Sequence, residues 1–351
     1  MSTNYKAINI HLLDKLSLTE VDQELPSFLQ HWHNTSKKIK VETSGSTGNP
    51  KTIYIEKKAV TNSARATNKS FNLNESAVYL LCLPTKYIAG KMMLIRSLEA
   101  NGKIVFSSSY SNPILTLNQA IDFCAMTPFQ LSNSIKHSKE NFKWIKTLII
   151  GGGIINLELE QALKTIPTKC YHTFGMTETI SHIALRKINS KGKSDIYTCL
   201  EHVTIDVNTK NQLIINSKKL NVQDLITNDI VEIIDAKRFK WKGRLDNVIN
   251  SGGIKYYPES IEKKLQDTLH GYNYIIDKTQ HPVLGEQIIL IIENKQNTKI
   301  KKSAFKNFDT HEIPKKIFKL DTFIYTNNNK VNRLKTTAKA ISSNKWYKPC
   351  L

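Results

Sequence analysis

From residue 76 onward, short apolar runs alternate with stretches whose apolar residues recur every three or four positions. Ala77-Val-Tyr-Leu-Leu-Cys-Leu83 is apolar almost throughout and predicts a strand buried on both faces. Residues 89–100 predict a helix closed by Asn101-Gly102, a pair suited to the turn at a helix end. Lys103-Ile-Val-Phe106 predicts a second strand, residues 117–124 a second helix, and Thr147-Leu-Ile-Ile150 a third strand that runs into Gly151-Gly-Gly153. Asn156 predicts the cap of a helix reaching about Lys164. Such alternation predicts a mostly parallel sheet covered by helices.

After Tyr171 the texture shifts to shorter β segments at 183–186, 203–207, 212–215, 230–234 and 238–241, which predict a small antiparallel subdomain. Beyond Lys242-Gly-Arg-Leu-Asp246 come Gly252-Gly253 and a helix begun by Pro258, with Ile261, Leu265 and Leu269 on one face. Strands are predicted at 274–276 and 288–292. The expected fold is therefore α/β: a large N-terminal domain over 1–245 and a smaller α+β domain over 246–351.

With 351 residues, 40% hydrophobic and 23% charged, the composition is that of a globular protein with a sizeable core. No run approaches the roughly 18 apolar residues of a membrane span, and Met1-Ser-Thr-Asn-Tyr-Lys6 has no apolar signal core, so a cytoplasmic location is expected. Five scattered cysteines without a Cys-x-x-Cys pair suggest plain thiols. The net charge of +20 invites a nucleic-acid reading, but the basic residues are dispersed, with no long basic run, so no nucleic-acid partner is expected. A basic surface would instead help recruit small polyanions.

The main chemical signal is Thr43-Ser-Gly-Ser-Thr-Gly-Asn-Pro-Lys51, set between Val41 and the β-prone Thr52-Ile-Tyr-Ile55. Its glycines allow backbone amides close to an anion, its hydroxyls donate, and its lysine adds charge, which suits a nucleoside triphosphate. It is not a Walker A loop, which needs Gly-Lys-Ser/Thr opening a helix. A solvent-exposed Ser/Gly loop is the plain alternative.

Further short motifs follow in order: Leu83-Pro-Thr-Lys-Tyr-Ile-Ala-Gly90, Gly151-Gly-Gly153, Thr173-Phe-Gly-Met-Thr-Glu-Thr179, Thr227-Asn-Asp229, Gly243-Arg-Leu-Asp246, Ser251-Gly-Gly253 and Asn329-Lys-Val-Asn-Arg333. The ordered set, covering residues 41 to about 335, resembles the adenylate-forming superfamily of acyl-CoA synthetases, luciferases and adenylation domains. The resemblance implies that Ser44, Ser46, Thr47, Gly48 and Lys51 hold the β- and γ-phosphates of ATP, and that Gly151, Gly152 and Gly153 flank the adenine. Phe174, with Gly175, would stack on the base, Thr177 would bind the α-phosphate and Glu178 would hold Mg²⁺. Asp229 and Arg244 match the ribose-gripping pair, and Lys330 the lysine that contacts carboxylate and α-phosphate during adenylation. Asp246 falls at the hinge, and Gly252 and Gly253 at the loop lining the pantetheine tunnel.

Some positions depart from the family pattern. Thr52 follows Lys51 in place of glycine, Phe174 replaces tyrosine, Asn228 stands inside Thr-Gly-Asp, and Asn329 precedes Lys330. None of these removes a charged group. The phosphate loop begins near residue 43, so much of the family's N-terminal subdomain is expected to be missing. This economy, and Gly175-Met-Thr-Glu-Thr-Ile-Ser-His182, is similar to small 2-succinylbenzoate–CoA ligases of menaquinone synthesis. Ser181, His182 and Arg186 are then candidates for the acid pocket, with CoA as co-substrate. Two rival readings are a freestanding adenylation domain that loads a carrier protein and a non-catalytic nucleotide- or nucleic-acid-binding protein.

Overall fold

The computed structural model describes residues 8–9, 22, 24–42, 52–107, 111–189, 194–293, 300, 302–326 and 331–349. The phosphate-loop candidates Ser44, Ser46, Thr47, Gly48 and Lys51, and the candidate catalytic Lys330, lie outside the described residues.

One sheet, of twelve strands among the described residues, organises the N-terminal part. Its parallel section runs Lys103–Phe106, Val78–Leu81, Ile121–Met126, Ile145–Ile150, Lys169–Gly175. The central three, Val78–Leu81, Ile121–Met126 and Ile145–Ile150, are mostly buried on both faces, hence their largely apolar sequences. Chain order reverses between Val78–Leu81 and Ile121–Met126, and in open parallel sheets ligands bind beyond the carboxyl ends near such a switch. The helices Lys57–Phe71, Ile88–Glu99, Pro128–Ser138 and Leu157–Leu163 accompany it. Asn156 caps the last of these as expected, its side chain accepting from the Leu159 amide.

The helix expected at 117–124 does not form. Ile121–Met126 is a central strand between Val78–Leu81 and Ile145–Ile150, with Phe123 and Cys124 wholly buried. Hydrogen bonding to a strand on either side outweighs the helix-like spacing of the local sequence. The predicted antiparallel segments do form strands, and they extend the same sheet. His182–Lys187 pairs antiparallel with Lys169–Gly175, followed by Ile196–Cys199, Arg238–Arg244, Val222–Asp235, Gln212–Ser217 and Thr204–Val207.

The C-terminal domain holds a second sheet in which Gly285–Glu293 pairs with Asn273–His281 and, in parallel, with Lys316–Leu320. The helix Pro258–Leu265 starts at the predicted proline and buries Ile261 and Leu265. The buried clusters separate: one runs from Leu25 to Phe239, and two others lie between Ile249 and Ala340. The described cysteines Cys82, Cys124, Cys170 and Cys199 are free and buried. Among the described residues, no helix is long and apolar enough to cross a membrane.

Candidate active site

The glycine turn and the Phe174–Glu178 segment lie at the carboxyl ends of Ile145–Ile150 and Lys169–Gly175. The first strand ends in the glycine turn, where Gly152 takes φ +80°, a conformation that favours glycine. A Cβ on Gly151 would sit 2.5 Å from Thr173 Oγ1, whose hydroxyl donates to the Ile150 carbonyl (3.0 Å). His172 Nε2 lies 3.0 Å from the Gly153 carbonyl oxygen. Burial, more than the neighbouring Arg186, draws His172 down to about 4, so the ring is neutral at pH 7.

The second strand delivers Phe174 and Gly175. Phe174 is half-buried, its ring 5.7 Å from Tyr197 and 5.1 Å from Phe239, both edge-on. Gly175 is sterically obligatory, since a Cβ there would stand 2.4 Å from the Ser181 carbonyl oxygen and 2.6 Å from the His182 Cα. The chain then makes a tight turn over Thr177–Thr179, in which the Ile180 amide donates to Thr177 O and Thr179 Oγ1 accepts from the Met176 amide. Ile180 sits at φ +69°, a strained setting for a β-branched residue of the kind that clusters at functional sites. The turn presents Thr177 half-buried and Glu178 exposed, and neither side chain has a hydrogen-bond or ion-pair partner among the described residues. An exposed, uncommitted carboxylate fits a hard divalent cation, though no cluster of three or more acidic, His or Cys ligands exists among the described residues.

Asp229 and Arg244 face each other across two antiparallel strands. The indole of Trp241 donates to Asp229 Oδ1 (2.8 Å), and Arg244 Nη1 lies 4.0 Å from Oδ2. Burial pushes the Asp229 carboxyl up, with Trp241 and Arg244 pulling the other way. Arg244 also reaches Asp246 (3.0 Å), to which Asn228 Nδ2 donates at 3.3 Å. Asn228, one of the departures from the family pattern, thus contacts the expected hinge residue. Gly252 and Gly253, at φ +58° and +82°, form the tip of the hairpin Ile249–Ser251/Ile254–Tyr256, with Gly252 bonded to Leu284 rather than to the Phe174–Glu178 turn.

Ser181 and His182 come together with a residue that the motifs did not flag, Arg96. Its guanidinium is 2% exposed, donates to Ser181 Oγ (2.6 Å) and lies over the Phe123 ring. No carboxylate among the described residues is within ion-pair distance, and Arg96 Nε and His182 Nε2 are buried without hydrogen-bond partners. Burial draws Arg96 down to about 10, so it remains a cation at pH 7. The signal for it was present: a lone charge in the otherwise apolar Met92-Met-Leu-Ile-Arg96. Arg186 drops out of this pocket, because it closes a buried ion pair with Glu160 (2.8 Å).

The glycine turn and the Phe-Gly-Met-Thr-Glu loop lie within residues 43–211, just under half of the chain, which match the family model described as AMP-binding enzyme, so the chain carries an AMP-binding domain. More particularly, it is similar to a 2-succinylbenzoate–CoA ligase of Listeria monocytogenes, 27% identical over 189 residues, 51% of this chain and 40% of that protein. The chain thus spans well under half of that relative's length. A 3,4-dihydroxybenzoate–[aryl-carrier protein] ligase of Bacillus anthracis is 22% identical over 334 residues, 91% of this chain and 75% of that protein. Among solved structures, an acyl-CoA synthetase (AMP-forming)/AMP-acid ligase II-like protein from Dyadobacter fermentans has a TM-score of 0.64 and 29% identity, covering 96% of this chain and 99% of that one. The Bacillus subtilis O-succinylbenzoate coenzyme A synthetase, solved with ATP and magnesium, shares the fold at a TM-score of 0.73 and 19% identity, covering 85% of this chain and 69% of that one.

Proposed function

We propose that this chain is an ATP- and Mg²⁺-dependent acid–CoA ligase whose acid carries a second anionic group, with 2-succinylbenzoate the best fit. The observation that carries the acid assignment is Arg96, a buried cation with no carboxylate partner among the described residues, bonded to Ser181 beside His182. A buried cation is costly unless paired, and a ligand carboxylate would supply the pair.

The reaction runs in two steps. The substrate carboxylate attacks the α-phosphorus of ATP, forming the acyl-adenylate and releasing pyrophosphate. The CoA thiol then attacks the acyl carbon, and AMP leaves. Thr177 binds the α-phosphate, while Asp229, seated by Trp241, and Arg244 grip the ribose. Glu178 would hold the magnesium ion, which offsets phosphate charge as pyrophosphate departs. Lys51 and Lys330 steady the polyphosphate and the attacking carboxylate by the same electrostatic logic. The separate hydrophobic cores support a division near 245/246, with Asp246 as hinge and Gly252-Gly253 presented for the thioester step. A cytoplasmic setting suits these substrates.

Loading of an aryl-carrier protein is the second reading, favoured by the likeness to the Bacillus anthracis ligase over most of the chain. Mass spectrometry of the products formed from Mg-ATP, CoA and 2-succinylbenzoate, beside benzoates and fatty acids, tests both. A selective 2-succinylbenzoyl-CoA product is expected. A different thioester would discard the acid but keep the ligase, and pyrophosphate release without a thioester would favour carrier loading.

A further inference from the structure

His172 sits one strand position from the adenine-flanking elements and has a partner on each ring nitrogen. Nε2 lies 3.0 Å from the Gly153 carbonyl oxygen, and Nδ1 lies 2.7 Å from the Tyr197 hydroxyl. A carbonyl only accepts, so Nε2 carries the proton, Nδ1 is the lone pair, and Tyr197 donates to it. Arg186, whose charge acts on the Tyr197 hydroxyl, is paired with Glu160 at 2.8 Å, both side chains being about a tenth exposed. Glu160 belongs to the helix Leu157–Leu163, which begins four residues after Gly153. The chain of polar contacts therefore leaves this segment at Glu160 and returns to it at Gly153, bracing the glycine turn from behind. Tyr197 also stands edge-on to Phe174, so the same ring supports both candidate walls of the base pocket.

We propose that His172 is a positioning residue for the nucleotide base: the buried Glu160–Arg186–Tyr197–His172 relay fixes the Gly153 carbonyl and so shapes the adenine side of the pocket. This inference rests on the nucleotide reading given above. A turn of three glycines has more backbone freedom than any other tripeptide, and a backbone group can discriminate a base only if it stays in place. Simple packing would explain one satisfied nitrogen. It would not explain a histidine that joins an ion pair to the carbonyl of the third glycine.

The test measures acid-dependent pyrophosphate release by the full chain with ATP and with ITP, for the wild type, His172→Leu, His172→Gln and Tyr197→Phe. His172→Leu is expected to raise the KM for ATP about five- to ten-fold, the loss of roughly one hydrogen bond, with the KM for the acid unchanged and ATP-over-ITP preference reduced in proportion. His172→Gln keeps a donor and an acceptor and is expected to restore the ATP KM to within about two-fold. Tyr197→Phe, which removes only a hydroxyl, is expected to give an intermediate loss and covers the case in which His172→Leu does not fold. An unchanged ATP KM and base preference in His172→Leu or Tyr197→Phe would overturn the relay. A wild type that releases no pyrophosphate and does not bind mant-ATP would overturn the nucleotide reading itself, and the relay with it.

Discussion

Arg96→Met separates a cation kept for a ligand from one kept for the fold, because the two roles predict opposite signs. The guanidinium is 2% exposed, and its side-chain partners among the described residues are Ser181 Oγ at 2.6 Å and the weakly accepting Met93 Sδ at 3.5 Å. Burial draws its pKa from 12.5 down to about 10, a penalty on the charged form of about 3 kcal/mol at 1.36 kcal/mol per pKa unit. Methionine is nearly as long and removes the charge, at a cost of about 1 kcal/mol for the Ser181 hydrogen bond. The net expectation is a gain of about 1–2 kcal/mol, or roughly 2–4 °C in melting temperature. Against this, removing one partner of a buried charge pair with a bound carboxylate costs about 2–5 kcal/mol, so the KM for a diacid should rise at least ~30-fold. A mono-acid analogue, which never used Arg96, should change by less than about three-fold. Differential scanning fluorimetry and pyrophosphate release read the two effects independently. A lower melting temperature with unchanged diacid-over-mono-acid preference would refute the assignment and leave Arg96 a structural residue.

Gly175→Ala places a Cβ 2.4 Å from a main-chain carbonyl, so the loop must move and pyrophosphate release should fall by at least ~10²-fold; activity within about ten-fold of wild type would show that the Thr177–Thr179 turn is not the reaction centre. Lys330→Ala is expected to slow adenylation by ~10²–10³-fold while sparing thioester formation from supplied acyl-adenylate. Equal loss in both half-reactions, each followed separately, counts against that role. For pH, the folded-state value of His172 is about 4 against an ordinary 6.5, so between these values the unfolded chain binds the extra proton and stability drains away as pH falls. The full loss amounts to about 3 kcal/mol, and burial biases His182 in the same direction. Urea unfolding at pH 7, 6, 5 and 4 should show this slope, flattened in His172→Gln; parallel slopes would mean that His172 is not buried neutral.

The parallel strands were legible because a strand buried on both faces must be apolar along its length, as in Val78–Leu81 and Ile145–Ile150. Local signals that carry their own physics also held: Asn156 as a cap and Pro258 at a first turn. Ile121–Met126 was misread because its neighbours in the sheet lie over 20 residues away in sequence, and no local pattern records them. The site was legible where chemistry is contiguous, as in Phe174–Glu178. It was illegible where it is assembled across elements. Arg186 looked available until Glu160 was found beside it, and Arg96, within the helix predicted over 89–100, carried no local sign that no acid among the described residues pairs with it.

Contacts assembled across elements also surround the expected hinge. Arg244 divides its guanidinium between Asp229, 4.0 Å away, and Asp246, 3.0 Å away, and Asn228 adds a donor to Asp246. Arg244 is 39% exposed and Asp246 55%, and surface pairs of this kind contribute about 1 kcal/mol or less, so they rearrange readily. On the other side, Lys263 of the C-terminal domain meets Asp195 at 2.6 Å, Ser260 donates to the Lys242 carbonyl, and Glu259 covers Gly243 so closely that a Cβ there would come within 2.4 Å of its carboxylate. Among the described residues, the contacts next to the expected hinge are a few side-chain bonds, the buried Glu259 against Gly243 and Asn247 included. Such a seat would suit the proposed two-step reaction, in which the domains would part between half-reactions. On the proposed function, ribose bound at Asp229 would compete for the arginine that steadies Asp246, and would tie the nucleotide to the hinge through a single side chain.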